Sequence, residues 1–282
     1  MTNQDQSYRV GSGRSGVVLL HGLAGSPVEM RYIANGLARE GYNVYCPQLA
    51  GHGSRAQDLR TSTWQDWFRS AEEALLTMAA ECDTVVVGGL STGAVLALLL
   101  AAKHPGKVAG LALYSPTLWL NGPSIPWYAR LFPIVPTKGL AGIFSFPAPK
   151  NLGIKDARLR EFIKNSITSN GGNCQVVTPG GAVIEHRWVA AAARQALHKI
   201  TQPVLILHAR EDGYASLDNA TYLQENLKGS VDLVVLEDSY HMATVDRQRG
   251  VVLERTAAFA GRIFSVFKDQ LGETVPALAA AA

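Results

Sequence analysis

The chain has 282 residues, 47% of them hydrophobic and 17% charged, enough to bury a large core in one big α/β domain or two small ones. Its formal net charge of +3 is spread along the chain without a Lys/Arg block, which argues against nucleic acid or an anionic membrane as a partner. Small-molecule chemistry is the expectation. Residues 1–10 lack the apolar stretch of a secretory signal, and the longest apolar run, near 94–102, is too short to span a bilayer. The reading is a cytoplasmic protein without stable membrane insertion. Cys46, Cys82 and Cys174 form no C-x-x-C pair, and their odd, sparse count speaks against a disulfide framework or a zinc site. They read as small buried apolar residues.

Taken in chain order, Gly11-Ser12-Gly13-Arg14-Ser15-Gly16 matches G-x-G-x-x-G, but it precedes an apolar run instead of following one, so it reads as a turn and not a nucleotide site. Short β-rich runs follow at 17–21, 42–47, 84–88, 110–115, 204–208 and 231–236, with helical patterns between them. That alternation predicts a mostly parallel sheet covered by helices. Ser26, Pro27 and Glu29 form a helix start in which Ser caps, Pro takes the first turn and Glu reaches back, with Gly41 at the end. From about Thr63 a second helix places Trp64, Trp67, Phe68, Ala71, Leu75 and Met78 on one face. Between about 116 and 201 the alternation breaks, and Pro123, Pro126, Pro133, Pro136, Pro147 and Pro149 crowd the first half. This stretch reads as an inserted cap, closed by a helix over 190–200. Its aromatics Trp119, Trp127, Tyr128, Phe132, Phe144, Phe146, Phe162 and Trp188 have two readings, an apolar pocket over the sheet edge or the cap's own core. The last helix is expected from about Asp246, with Val252, Phe259, Ile263 and Val266 inward and a frayed tail over 275–282.

The chemistry begins at Gly89-Leu90-Ser91-Thr92-Gly93, a G-x-S-x-G between a β-type run and a helix-like stretch. Strand, tight turn and helix in that order hold a serine in a strained, exposed position, and Gly89 and Gly93 allow the close approach such an elbow needs. Ser91 is therefore the candidate nucleophile; a plain Gly/Ser turn is the alternative. A serine hydroxyl is weakly nucleophilic near neutral pH, so the elbow calls for an imidazole to take its proton and a carboxylate to orient that imidazole. Asp212 follows the run 204–208 and His241 follows 231–236, so parallel strands deliver both to one rim. Glu211 is the rival acid. Of the other histidines, His208 suits packing, His186 and His198 fall in the cap and its return helix, and His104 suits a helix end. None forms H-E-x-x-H, which leaves metal hydrolysis without sequence support. His21 opens His-Gly-Leu-Ala-Gly, where it would shape a turn presenting the Leu23 N–H; with the Thr92 N–H it would bind an oxyanion. Gly51-His52-Gly53 reads as a turn near the site, with His52 exposed or hydrogen-bonded.

Together, His-Gly-Leu-Ala-Gly-Ser-Pro, Gly-His-Gly, Gly-Leu-Ser-Thr-Gly, Arg-Glu-Asp and Ser-Tyr-His resemble bacterial carboxylesterases and monoacylglycerol lipases of the α/β-hydrolase superfamily. The resemblance implies Ser91 as nucleophile, His241 as base, Asp212 as orienter, and Leu23 and Thr92 as oxyanion donors. Thr92 and Ala94 depart from it, standing where such proteins usually carry a larger apolar residue and Gly. Gly213-Tyr214-Ala215 also replaces an apolar pair, and the cap is long.

The expected architecture is an α/β-hydrolase fold: a mostly parallel sheet of about six main strands flanked by helices, core at 1–116 and 201–282, cap at 117–200. The expected activity is hydrolysis of short to medium acyl esters or monoacylglycerol-like substrates through an acyl-serine, with no cofactor and no metal. Trp119, Trp127, Phe144 and Phe146 are the candidate acyl-pocket residues. Thioester, amide or C–C hydrolysis with the same triad is the alternative, and a non-catalytic interaction protein the third reading.

Overall fold

The computed structural model of the protein describes residues 5–53, 56–125, 141, 144–147, 149, 151–169 and 177–279. The strands are β1 (Tyr8–Val10), β2 (Ser15–Leu20), β3 (Asn43–Cys46), β4 (Thr84–Leu90), β5 (Gly110–Tyr114), β6 (Ser145–Pro147), β7 (Val177–Pro179), β8 (Val204–Ala209) and β9 (Val231–Leu236). The helices are α1 (Arg31–Arg39), α2 (Ala56–Thr61), α3 (Trp64–Glu81), α4 (Thr92–Lys103), α5 (Ala157–Ser169), α6 (Gly180–Ala196), α7 (Asp218–Asn226) and α8 (Arg249–Ala279). The expected Trp127, Tyr128, Phe132, Pro126, Pro133, Pro136 and Cys174 lie outside the described residues.

Seven strands form one sheet in the order β1-β3-β2-β4-β5-β8-β9, parallel throughout except for β1. Six of them are the six runs expected; the seventh, β1, is a three-residue antiparallel edge too short to show a period of two. Alternation along each strand divides the core: Val18 and Leu20 of β2 enter one layer with α3, α4, α6 and α7, while Val17 and Leu19 enter the other with α1 and α8. Between β5 and β8 the chain leaves this sheet for a two-stranded antiparallel pair, β6 with β7, and for α5 and α6. The order reverses about β2 and β4, so the carboxyl ends of those strands open the crevice where open α/β sheets bind ligands.

Helix boundaries follow local chemistry with four corrections. Thr63 caps α3 in a reciprocal box with Asp66. Ser26, in contrast, makes no side-chain cap; Pro27–Met30 is a 3-10 turn leading into α1, and Glu29 takes the Gly22 N–H. The helix expected over 190–200 begins ten residues earlier, at Gly180, because its first half buries Ala182 and Ile184. In α8, Val266 faces outward and Phe264 fills the core position, as the 3.6-residue period dictates after Ala260. The expected frayed tail is helical as far as Ala279. No helix among the described residues is long and apolar enough to cross a membrane.

Candidate active site

Strand β4 is buried along its whole length and runs straight into Ser91, which adopts φ 56° and ψ −112° at the N-terminus of α4. For a residue with a Cβ this conformation costs about 1–3 kcal/mol, so it persists only where the surroundings over-determine it. Here they do: the Ser91 N–H donates to the Tyr114 carbonyl at 2.9 Å, extending the β4–β5 ladder past the strand end. Two close approaches complete the elbow. A Cβ on Gly89 would lie 2.3 Å from the Gly93 carbonyl carbon, and one on Gly93 would lie 2.3 Å from the Leu20 oxygen. The Ser91 hydroxyl lies 3.2 Å from Thr117 Oγ1, and the Thr117 hydroxyl donates to the Ser115 carbonyl at 3.1 Å. Thr117 carries a single proton, so Ser91 is the donor to Thr117 in this arrangement.

Asp212 and His241 meet at the ends of β8 and β9. Asp212 Oδ2 accepts from His241 Nδ1 at 2.7 Å, while Oδ1 accepts the N–H groups of Tyr214 at 2.8 Å and Ala215 at 3.0 Å. Burial alone would raise the Asp212 carboxyl; the adjacent His241 charge and hydrogen bond, with His208, hold it below the usual carboxylate range. It is thus an anion that orients the ring, and the Nδ1–H it receives leaves Nε2 of His241 as the basic nitrogen. The Tyr214 ring lies 4.8 Å from the imidazole at 36°, packing one side of it. The rival acid, Glu211, sits at the surface on Lys155 at 3.1 Å. His208 is fully buried and donates from Nε2 to the Ala215 carbonyl at 2.9 Å, the structural part expected of it.

The loop after β2 is set by its own histidine. His21 Nε2 accepts the Leu49 N–H at 3.1 Å, which leaves the proton on Nδ1 to donate to the Gly22 carbonyl at 2.9 Å. Burial, then the neighbouring His52, pushes this imidazole down to about 3, so it stays neutral. A peptide's C=O and N–H point in opposite directions, so anchoring the Gly22 oxygen to His21 turns the Leu23 N–H the other way. No carbonyl among the described residues accepts that N–H. On the other side of Gly22, its N–H donates to Glu29 Oε2 at 2.9 Å. Burial pushes the Glu29 carboxyl up to about 7, against the pull of the Gly22 hydrogen bond and of His241. The Thr92 N–H, first in α4, has no carbonyl one turn earlier to bond.

One residue placed outside the chemistry by sequence reasoning belongs beside it. His186, on α6, is buried and its Nδ1 lies 2.9 Å from Thr92 Oγ1, next to the elbow. Burial, with His241 and Arg194 nearby, pushes it down to about 4. The signal for this contact was the unusual hydroxyl at position 92, which needs a polar partner once buried. Of the four candidate acyl-pocket residues, Trp119, Phe144 and Phe146 fall within the described residues. Trp119 packs edge-on against Tyr222 at 4.9 Å with the Arg194 guanidinium over its ring. Phe144 is 53% exposed, and Phe146 packs with Ala141 and Ile184 within the insertion. His52 is buried and bonds the Ala50 carbonyl through Nδ1 at 3.0 Å.

A mostly parallel sheet with a strained serine between its central strand and helix, and a paired carboxylate and imidazole beyond two later strands, defines an α/β-hydrolase. The chain belongs to the Hydrolase_4 family, described as serine aminopeptidase, S33, which matches residues 11–248. A thermostable monoacylglycerol lipase of Bacillus sp. (strain H-257) is 30% identical over 88% of this chain and 91% of its own length. A carboxylesterase of Bacillus subtilis (strain 168) is 23% identical over 89% of this chain and 94% of its own. A solved structure from the metagenome-derived lipolytic enzymes LipS and LipT superposes with TM-score 0.77 at 28% identity, covering 91% of this chain and 97% of that one.

Proposed function

We propose that this protein is a serine hydrolase that cleaves carboxylic esters through an acyl-Ser91 intermediate, with His241 as general base and acid and Asp212 as its orienter. The observation that carries the reading is the 2.7 Å Asp212–His241 pair at the same sheet edge as a serine held at φ 56°. Relatives named monoacylglycerol lipase and carboxylesterase support ester bonds over other acyl derivatives.

In the resting arrangement Ser91 donates to Thr117, so the first step is a rotation of its hydroxyl from that bond toward His241 Nε2, between staggered side-chain wells. His241 then takes the proton as Oγ attacks the carbonyl carbon. The negative oxygen is received by the N–H groups of Leu23 and Thr92, each worth about 2.7–4 kcal/mol in such a role. Collapse expels the alcohol, which leaves with the proton His241 held. His241 next activates water, and hydrolysis of the acyl-enzyme restores Ser91. Residues 117–200 act as a cap over this edge, and Trp119, Phe144 and Phe146 border the acyl group; Trp127, the fourth candidate, lies outside the described residues. Cys46 and Cys82, buried and unpaired, fit a reducing compartment and so a cytoplasmic enzyme.

The test is turnover of a p-nitrophenyl ester series from acetate to decanoate by the wild type and by Ser91→Ala, with fluorophosphonate labelling of Ser91. Cleavage by the wild type and its loss in the variant are expected. Full activity in Ser91→Ala would falsify the assignment. Faster turnover of matched thioesters or amides would instead move the reading to another acyl bond on the same three groups.

A further inference from the structure

The loops that carry Asp212 and His241 are held together by a third segment, residues 151–156, which reaches them from the insertion. Four contacts tie it to the His241 loop. The Gly153 carbonyl accepts the N–H of Met242, the residue after His241, at 2.9 Å. The Lys155 and Asp156 N–H groups donate to Asp246 Oδ2 and Oδ1 at 2.8 and 2.9 Å. Lys155 Nζ lies 3.1 Å from Asp238 Oδ1. The same ammonium lies 3.1 Å from Glu211 Oε1, adjacent to Asp212, so one side chain bridges the acid loop and the base loop.

Asp246 is the hub. It is fully buried, and besides those two donors its carboxylate accepts the N–H of Tyr240 at 2.7 Å, the residue before His241, and of Arg247 at 2.9 Å. Four backbone donors saturate an ionised carboxylate, which has about four lone-pair sites; an amide in its place would turn two donors against an NH2 group. Gly153 makes the contact possible. Its φ is 68°, and a Cβ there would lie 3.1 Å from the Tyr214 ring, 3.2 Å from His241 Cβ and 3.3 Å from Met242. The segment therefore lies close against the Cβ of His241, from which the imidazole hangs, and against the Tyr214 ring that packs it.

We propose that residues 151–156 are a clasp that sets the position of His241 relative to Asp212, with Gly153, Lys155 and Asp246 as its positioning residues. The proposal rests on the reading of Asp212 and His241 as a catalytic pair. None of the three touches substrate; they act through the imidazole, whose placement within a fraction of an ångström governs proton transfer. The clasp also makes the insertion part of the catalytic machinery, since cap residues and the base share one hydrogen-bonded network.

The experiment compares wild type with Lys155→Met, Lys155→Arg, Gly153→Ala and Asp246→Asn by two readings: the downfield proton NMR resonance of His241 Nδ1–H, and kcat and KM on p-nitrophenyl butyrate. The clasp predicts a shifted or broadened resonance and a kcat lowered about tenfold in Gly153→Ala and Asp246→Asn, with KM little changed. Lys155→Met should lose severalfold in kcat, Lys155→Arg should recover it, and molar salt should lower the wild type toward Lys155→Met. Arg14→Met breaks the Arg14–Asp83 pair far from this edge and should leave both readings at wild-type values. A wild-type resonance and kcat in Lys155→Met and Gly153→Ala overturn the clasp, whether or not Asp246→Asn folds. The resonance reads the pair without turnover, so an intact clasp in a protein that cleaves no ester would point to failure of the catalytic reading instead.

Discussion

At the scale of single residues, protonation states carry the chemistry. Asp212 is an anion whose one oxygen fixes the tautomer of His241, so Asp212→Asn should keep the fold and lower kcat by about 10³–10⁴, as loss of the orienting charge does in such triads. Glu211→Gln removes only a surface partner of Lys155 and should cost severalfold at most; steady-state kinetics on one short ester separates the two acids. Glu29 makes a different prediction. Its carboxyl titrates near 4.5 in the unfolded chain and about 7 when folded, so the folded state holds the proton more tightly. Its contribution is fully present below pH 4.5 and is lost as pH rises through 7, where the buried group must ionise. Thermal unfolding at steps across that range should show the wild type losing stability with rising pH, and Glu29→Gln a flatter profile. Equal slopes would remove Glu29 from the account. Both acids were visible in the sequence as letters, but only Asp212 stood where strand order gave it a task. The environment of Glu29 depended on a loop folding back over it.

Elements explain why the serine sits where it does. The β4–Ser91–α4 elbow is over-determined by two glycines, one facing the helix and one facing β2, and the packing leaves no space for a methyl group at either. Gly93→Ala should therefore destabilise the protein by about 1–3 kcal/mol through overpacking, with a lower midpoint in thermal or urea unfolding. A variant as stable as wild type would mean that β2 and α4 can separate. The elbow was legible in the sequence because strand, turn and helix are contiguous and their signals local. The same holds for α3, whose Thr63–Asp66 box and three- and four-residue spacing lie within one stretch. What escaped was β1, a three-residue edge, and the first half of α6, where small residues make no amphipathic stripe until α4 is packed against them.

At the scale of the whole molecule, the insertion between β5 and β8 is the part that meets the site from outside the sheet. Phe144 is exposed, and Trp119 is engaged with Tyr222 and Arg194. The cap reading predicts that Phe144→Ala raises KM severalfold for p-nitrophenyl octanoate and leaves acetate unchanged, because only the longer chain reaches beyond the elbow. Equal effects on both esters, or none on either, would take Phe144 out of the acyl site. His186 belongs to this scale too. It joins α6 to the hydroxyl of Thr92 across 94 positions of sequence, a link between insertion and elbow that no local pattern encodes.

By itself the sequence determined the six main strands, the helical layers, the elbow and the order serine, acid, histidine, because each depends on periodicity or on chemistry within a few residues. Only the tertiary structure decided which groups meet: the pairing of residues 212 and 241, the resting bond from Ser91 to Thr117, the neutral His21 that turns the Leu23 N–H, and the segment over His241. Those depend on loops brought together from distant strands, and on burial, which fixes the charge of a side chain only once its neighbours are in place.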